Sequence, residues 1–204
     1  MRVNKNKFIY LISPLKIYKS FYIELIEVLK QKKVSFFQLR LKKENFKKKL
    51  KIGKKIKKIC KKFNVKFLVN DDVYLAKKLN ADGCHLGQKD MNIFEARKLI
   101  GKKIIGITCH NSIKLAKKAL KNKADYLAFG AFYSSKTKKV KYVASTDLLK
   151  KVRKITKSPI VAIGGIGANN YKKLLLNKAN FLAISGYIWK NKKFKPQEAI
   201  KKIK

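Results

Sequence analysis

The sequence predicts an α/β protein folded as a closed (β/α)8 barrel, on three observations. Eight short β-branched and aromatic runs recur along the chain, lysine-rich segments with helical spacing separate them, and polar residues gather at the carboxyl ends of the runs. The runs are Phe8–Ser13, Val34–Leu39, Phe67–Val69, Gly83–Leu86, Ile104–Thr108, Asp125–Phe129, Pro159–Ile163 and Phe181–Ser185. Each is nearly continuous in apolar residues, as expected of strands buried on both faces of a parallel sheet. Between them, Phe46, Leu50, Ile56, Ile59, Cys60 and Phe63 recur mostly at steps of three and four, with lysines on the other face. Similar stripes occupy Phe21–Leu29, Ile113–Leu120 and Leu148–Ile155. An open doubly wound sheet usually has fewer units and a glycine-rich first turn, whereas the first turn here is Ser13-Pro14-Leu15. No linker or low-complexity tail interrupts the pattern, so one barrel domain over residues 1–204 is expected.

Composition narrows the function. The chain has 204 residues with 53 Lys+Arg against 11 Asp+Glu, a formal charge of +42, and 46% apolar residues, enough for a buried core. No apolar run approaches the roughly 18 residues that span a bilayer, and no secretory cleavage pattern follows Met1-Arg2-Val3-Asn4-Lys5. Cys60, Cys84 and Cys109 are odd in number and far apart, which disfavours a disulfide framework and fits a reducing cytoplasm. The charge suggests a polyanion partner. Yet only Arg2, Arg40, Arg97 and Arg153 carry the planar fork that reads bases, and the lysines are scattered, so solvated helix faces are the better reading. A specific nucleic-acid partner is not expected, and neither is a membrane.

The scarce polar groups fall at the strand ends, where barrels of this kind keep their chemistry. Gln38, Arg40 and Lys42 alternate after the second strand, so that all three can point to one side. Asn70-Asp71-Asp72 follows the third strand and His85 to Asp90 the fourth. The fifth ends in Thr108-Cys109-His110, and the sixth leads through Gly130 to Ser134-Ser135-Lys136-Thr137-Lys138. Gly164-Gly165 and Ser185-Gly186 follow the last two strands, ahead of helix starts, and would cradle a phosphate on backbone N–H groups with hydroxyl help from Ser135 and Thr137. Cations at Arg40, Lys42 and Lys138 beside carboxylates at Asp71 and Asp90 suit a pyrophosphate bridged by Mg2+. Asp71 could instead cap the helix Val73–Leu79, a role that Asp72 fits better. Asp82 reads as a turn residue, Cys84 and Cys109 as core thiols. His85 and His110, taken singly, read as hydrogen-bonded structural groups, although both lie on the rim.

With these residues in view, the chain resembles the thiamine phosphate synthase family from about residue 8 to residue 190. The resemblance rests on seven ordered motifs: QLRLK (38–42), NDD (70–72), ADGCHLGQKD (81–90), IGITCH (105–110), DYLAFGAFYSSKTK (125–138), PIVAIGGI (159–166) and the closing FLAIS. It implies a transferase that joins a hydroxymethylpyrimidine diphosphate to the ring nitrogen of a thiazole phosphate, releasing pyrophosphate by a largely dissociative substitution. It further implies that Gln38, Arg40, Lys42, Asn70, Thr108 and Lys138 hold the pyrimidine diphosphate. Among these, Arg40, Lys42, Lys138 and Thr108 would carry the catalysis. Asp71 and Asp90 would bind Mg2+, while Ser135, Thr137, Gly165, Ser185 and Gly186 would hold the thiazole phosphate. Three departures lie on the thiazole side: Ser134-Ser135 replaces the family's Pro-Thr, Lys139–Ser145 lacks a glycine often found there, and Ser185-Gly186 replaces a more usual small pair. Two other readings remain: a thiazole tautomerase-like enzyme with His110 as acid/base, which needs no metal-bound diphosphate, and a basic nucleic-acid-binding protein without catalysis.

Overall fold

The computed structural model describes residues 7–134 and 141–204. Eight parallel strands close into a barrel in sequence order, β8 pairing with β1. They are β1 Ile9–Ile12, β2 Val34–Leu39, β3 Lys66–Asn70, β4 Gly83–Leu86, β5 Ile104–His110, β6 Tyr126–Phe129, β7 Ile160–Ile163 and β8 Phe181–Ile184. The helices are α1 Phe21–Lys30, α2 Phe46–Lys62, α3 Val73–Lys78, α4 Ile93–Ile100, α5 Ile113–Lys121, α6 Thr146–Ile155, α7 Tyr171–Leu176, α8 Gly186–Trp189 and α9 Pro196–Lys201. Every expected strand is present, β2 and β4 with the expected bounds and the others with ends shifted by one or two residues. The main difference is β5, which runs on to His110 because its register against β6 skips Cys109. That bulge carries His110 into the left-handed region at φ 51° and re-aims its ring.

Closure divides each strand's residues by period two. Outward residues such as Leu11, Phe37, Leu39, Leu41 and Val69 pack with the buried stripes of the helices. Inward residues form a second, smaller cluster from Tyr10, Phe36, Leu68, Tyr126, Val161 and Phe181. Phe36 meets Phe181 edge-on with centroids 5.0 Å apart, and Tyr10 lies 5.8 Å from Tyr126. Space for the Tyr126 ring comes from Gly106, where a Cβ would lie 1.8 Å from the Tyr126 Cζ. The lower half of the lumen is thus a packed plug, and the mouth lies above it.

The opposite end of the barrel is fastened by a repeated device. The residue just before β4, β6 and β8 (Asp82, Asp125 and Asn180) accepts a bond from a backbone N–H near the start of the preceding strand. Those donors are Phe67, Ile105 and Ile160, at 2.9, 2.8 and 2.8 Å. A cation braces each acceptor: Lys66 on Asp82 at 3.0 Å, Arg97 on Asp125 at 2.8 Å, and Arg153 on Asn180. Asp82 is therefore more than a turn residue. The three cysteines are buried and unpaired, and no described helix is long and apolar enough to cross a membrane.

Replacing Gly106 with alanine forces the new methyl into the Tyr126 ring, so Gly106→Ala is expected to cost about 2 kcal/mol of stability. A thermal melt should show the midpoint lowered by about 4–8 °C, which follows from the entropy of unfolding at this chain length.

Candidate active site

The mouth is assembled from the polar tops of the inward columns. At the end of β2 and just beyond it, Leu39 and Leu41 are buried under the helices, which leaves Gln38 and Arg40 on the inner side. Gln38 is 2% exposed and donates from Nε2 to the Tyr10 hydroxyl at 2.9 Å. The Arg40 backbone N–H donates to Ser13 Oγ at 2.9 Å, which ties the tops of β1 and β2. Burial draws the Arg40 guanidinium down, and the Asp71 charge opposes that pull. Lys42, on the loop beyond, places Nζ 2.8 Å from Asp71 Oδ2.

The four clustered aspartates separate by task. Asp72 caps α3, its Oδ1 accepting from Leu75 N at 2.9 Å, and Asp82 serves the far end of the barrel. Asp71 sits in the left-handed region at φ 63°, with its backbone N–H donating to His85 O at 2.8 Å. This conformation, which aspartate tolerates better than most residues, brings its carboxyl within hydrogen-bonding reach of Asp90. Asp90 Oδ2 is anchored by Gly87 N–H at 2.7 Å. Burial and the Asp71 charge push the Asp90 carboxyl up. For Asp71, burial acts in the same upward direction, but the contacts with Lys42 and Asp90 outweigh it and hold the group down. Two carboxylates this close need a proton or a cation between them. Among the described residues no third acid, histidine or cysteine joins them to make a complete cage. A hard divalent ion that keeps waters and takes phosphate oxygens suits such an incomplete donor set. Asn70 lines a cavity of about 180 Å3 with Lys42 and Asp71.

The opposite wall is Thr108 on β5. Its Oγ1 lies 2.8 Å from His85 Nε2, and its carbonyl accepts from Gln88 Nε2. His85 Nδ1 lies 2.8 Å from the Tyr126 hydroxyl, and the imidazole stacks on that phenol ring at 5.6 Å. Burial pushes the His85 pKa down to about 4 against the opposing Asp71 charge, so the ring is neutral at pH 7. Composition and motif reading passed over Tyr10 and Tyr126. The signal available was tyrosine at inward positions of strands whose neighbours, Phe36 and Phe181, fill the same lumen without a hydroxyl.

On the phosphate side, Ser185 and Gly186 meet the expectation of a helix start after β8, since Gly186 opens α8. The Ser185 hydroxyl itself turns to Ser13 O at 3.2 Å. Gly164-Gly165 do not lie ahead of a helix start, because α7 begins only at Tyr171. The intervening loop folds on itself, with Asn170 bonding both Gly167 N and Gly165 O. Gly165, at φ 61°, admits no side chain: a Cβ would lie 2.3 Å from Ser134 O. Ser135, Thr137 and Lys138 lie outside the described residues. His110 stacks on Tyr142 with centroids 4.2 Å apart.

The neutral His85 makes stability depend on pH. Unfolded histidine takes a proton near pH 6.5 and native His85 only near 4, so the unfolded chain binds more protons between those values. Stability present above about pH 6.5 should fall as pH drops toward 4, by about 3 kcal/mol in all. Melts from pH 7 to 4.5 should show this slope, and His85→Gln should flatten it.

The thiamine monophosphate synthase family matches residues 9–188. A thiamine-phosphate synthase from Pelagibacter ubique is 70% identical over 204 residues, covering 100% of this chain and 98% of that protein. Another from Erythrobacter litoralis is 40% identical over 186 residues, covering 89% and 87%. Among solved structures, a thiamine phosphate pyrophosphorylase from Pyrococcus furiosus superposes with a TM-score of 0.86 at 27% identity, covering 98% of this chain and 94% of that one. With the match running from β1 into α8 and so through every strand of the barrel, the chain belongs to the thiamine monophosphate synthase family.

Proposed function

We propose that the protein condenses 4-amino-2-methyl-5-hydroxymethylpyrimidine diphosphate with thiazole phosphate, giving thiamine phosphate and pyrophosphate with the help of Mg2+. The observation that carries this reading is the meeting of Arg40 and Lys42 with the Asp71–Asp90 pair at one edge of the mouth, which Gln38 and Thr108 line from facing walls. An anionic substrate alone would be repelled by the two acids, and a cation alone would be repelled by Arg40 and Lys42. A diphosphate together with a divalent ion satisfies both sets.

Asp71 and Asp90 would hold the ion, which when bound neutralises charge gathering on the departing diphosphate oxygens. Lys42 exchanges its contact with Asp71 for a phosphate oxygen, and Arg40 offers a planar fork to two oxygens at once. Gln38, Asn70 and Thr108 orient the aminopyrimidine, whose ring delocalises positive charge as the methylene C–O bond breaks. Ser185 and Gly186 with Gly165, joined by Ser135 and Thr137, hold the thiazole phosphate so that its ring nitrogen faces that carbon. Lys138 adds charge to the diphosphate. The protein's share of the catalysis is therefore alignment and charge stabilisation, without a covalent intermediate on the chain. The relatives from Pelagibacter ubique and Erythrobacter litoralis are named thiamine-phosphate synthase, which supports condensation over proton transfer on the thiazole alone.

The test is synthesis from both substrates with purified protein, with Mg2+ and after chelation. Product is expected only with the metal, and Asp71→Asn and Asp90→Asn should each lower kcat/KM by about 100-fold or more. Arg40→Lys, which keeps the charge and loses the fork, should cost about 10-fold. Full activity after chelation would remove the metal from the reading, and isomerisation of the thiazole without condensation would replace the reaction.

A further inference from the structure

A continuous line of hydrogen bonds crosses the lumen under the mouth. Gln38 Nε2 donates to Tyr10 Oη at 2.9 Å, and the Tyr10 and Tyr126 hydroxyls lie 2.8 Å apart. Tyr126 Oη is 2.8 Å from His85 Nδ1, and His85 Nε2 is 2.8 Å from Thr108 Oγ1. The five residues come from β2, β1, β6, β4 and β5, so the line joins two walls of the site through the barrel itself. Filling space does not call for these hydroxyls, because Phe36 and Phe181 pack in the same cluster. Burying a hydroxyl is unfavourable unless it is bonded, and here none of the buried side-chain polar atoms of the described residues is left unpaired.

Proton counting gives the line a direction. A phenol has one proton to donate, and so has a neutral imidazole. With Gln38 donating to Tyr10, the Tyr10 proton goes to Tyr126 and the Tyr126 proton to His85 Nδ1. His85 is then protonated on Nε2 and donates to Thr108. Outside the line remain the Gln38 amide oxygen and second Nε2–H and the Thr108 hydroxyl proton. Reversing one bond would require reversing all of them, so the orientation is collective.

We propose that Tyr10, Tyr126 and His85 are positioning residues that lock Gln38 as an acceptor and Thr108 as a donor, and thereby set the mouth to take an aminopyrimidine and refuse its oxo counterpart. The proposal rests on the reaction assigned above. An aminopyrimidine offers an amino N–H to one wall and a ring-nitrogen lone pair to the other. Its oxo analogue offers a carbonyl oxygen where the amino group stood, and this would face the Gln38 oxygen with no proton between them. A site built to bond one such group rejects the analogue through the polar atoms left unpaired. Tyr126 shares no hydrogen bond with Gln38 or Thr108, yet it decides the polarity of both.

Tyr10→Phe and Tyr126→Phe keep the rings and remove the hydroxyls. Each should raise KM for the pyrimidine diphosphate roughly 3- to 10-fold, the worth of one neutral hydrogen bond, and leave KM for thiazole phosphate unchanged. Preference for the amino over the oxo substrate, measured as the ratio of kcat/KM values, should fall about 10-fold or more in Tyr126→Phe, where the Gln38 amide is freed to turn over. Histidine nitrogen chemical shifts should show His85 as the Nε2–H tautomer in the natural protein and as a mixture in Tyr126→Phe. A His85 found as Nδ1–H would overturn the proposal. So would variants that keep both KM and preference, or that raise both KM values alike as a general loosening of the barrel would. If the natural protein made no thiamine phosphate, the reaction assignment would fail, while the tautomer would still decide the direction of the line.

Discussion

Closing eight strands on themselves gives each one an inside and an outside, and every inward position must be filled from a lumen of fixed width. Aromatic rings from β1, β2, β6 and β8 fill the lower part, with Gly106 yielding the volume that Tyr126 takes. Nearer the mouth, β2, β3, β4 and β5 present Gln38, Asn70, His85 and Thr108, because a lumen already plugged from below can afford polar side chains at its open end. The site is thus a continuation of the core packing, with the same period-two alternation deciding which side chains reach it. A shift of one residue in β2 would send Leu39 and Leu41 into the mouth and bury Arg40 under helices.

The two ends of the barrel use charge differently. At the mouth, like charges are pressed together, Asp71 against Asp90, with Lys42 drawn onto the pair. At the far end, opposites are matched one to one on backbone N–H groups. Arginine appears where one side chain must satisfy several acceptors. Arg97 bonds the carbonyls of Gly101, Lys103 and Lys123 as well as Asp125, and Arg153 bonds those of Thr156, Ser158 and Lys178 as well as Asn180. The abundant lysines lie mostly on exposed helix faces, as α2 illustrates by burying only Ile52, Gly53, Ile56 and Cys60.

The barrel was legible because strand and helix periods are local signals, and the rim was legible because acids are scarce in this chain. Asp72 as a cap followed from its place one residue before an apolar stripe. The role of Asp82 was hidden, since its partners Phe67 and Lys66 are 15 and 16 residues away and meet it only once β3 and β4 pair. Tyr10 and Tyr126 were hidden more deeply: 116 residues separate them, and only closure of the sheet brings their hydroxyls together. The glycines after β7 misled for a different reason. Glycine marks an unusual backbone turn whether or not a helix follows, and here a self-bonded loop follows instead.

The pairs β3–β4, β5–β6 and β7–β8 are each latched by the polar residue just before the later strand, whereas β1 and β2 are joined at that end by Ser35 Oγ, which donates to Lys7 O. Lys33, just ahead of β2, reaches instead to the carbonyls of Lys201 and Ile203, at 3.3 and 2.5 Å. The start of β2 is therefore held on one side by β1 and on the other by α9 and the residues after it. A chain cut before α9 would keep the β1–β2 ties and leave the Lys33 ammonium without these carbonyl acceptors.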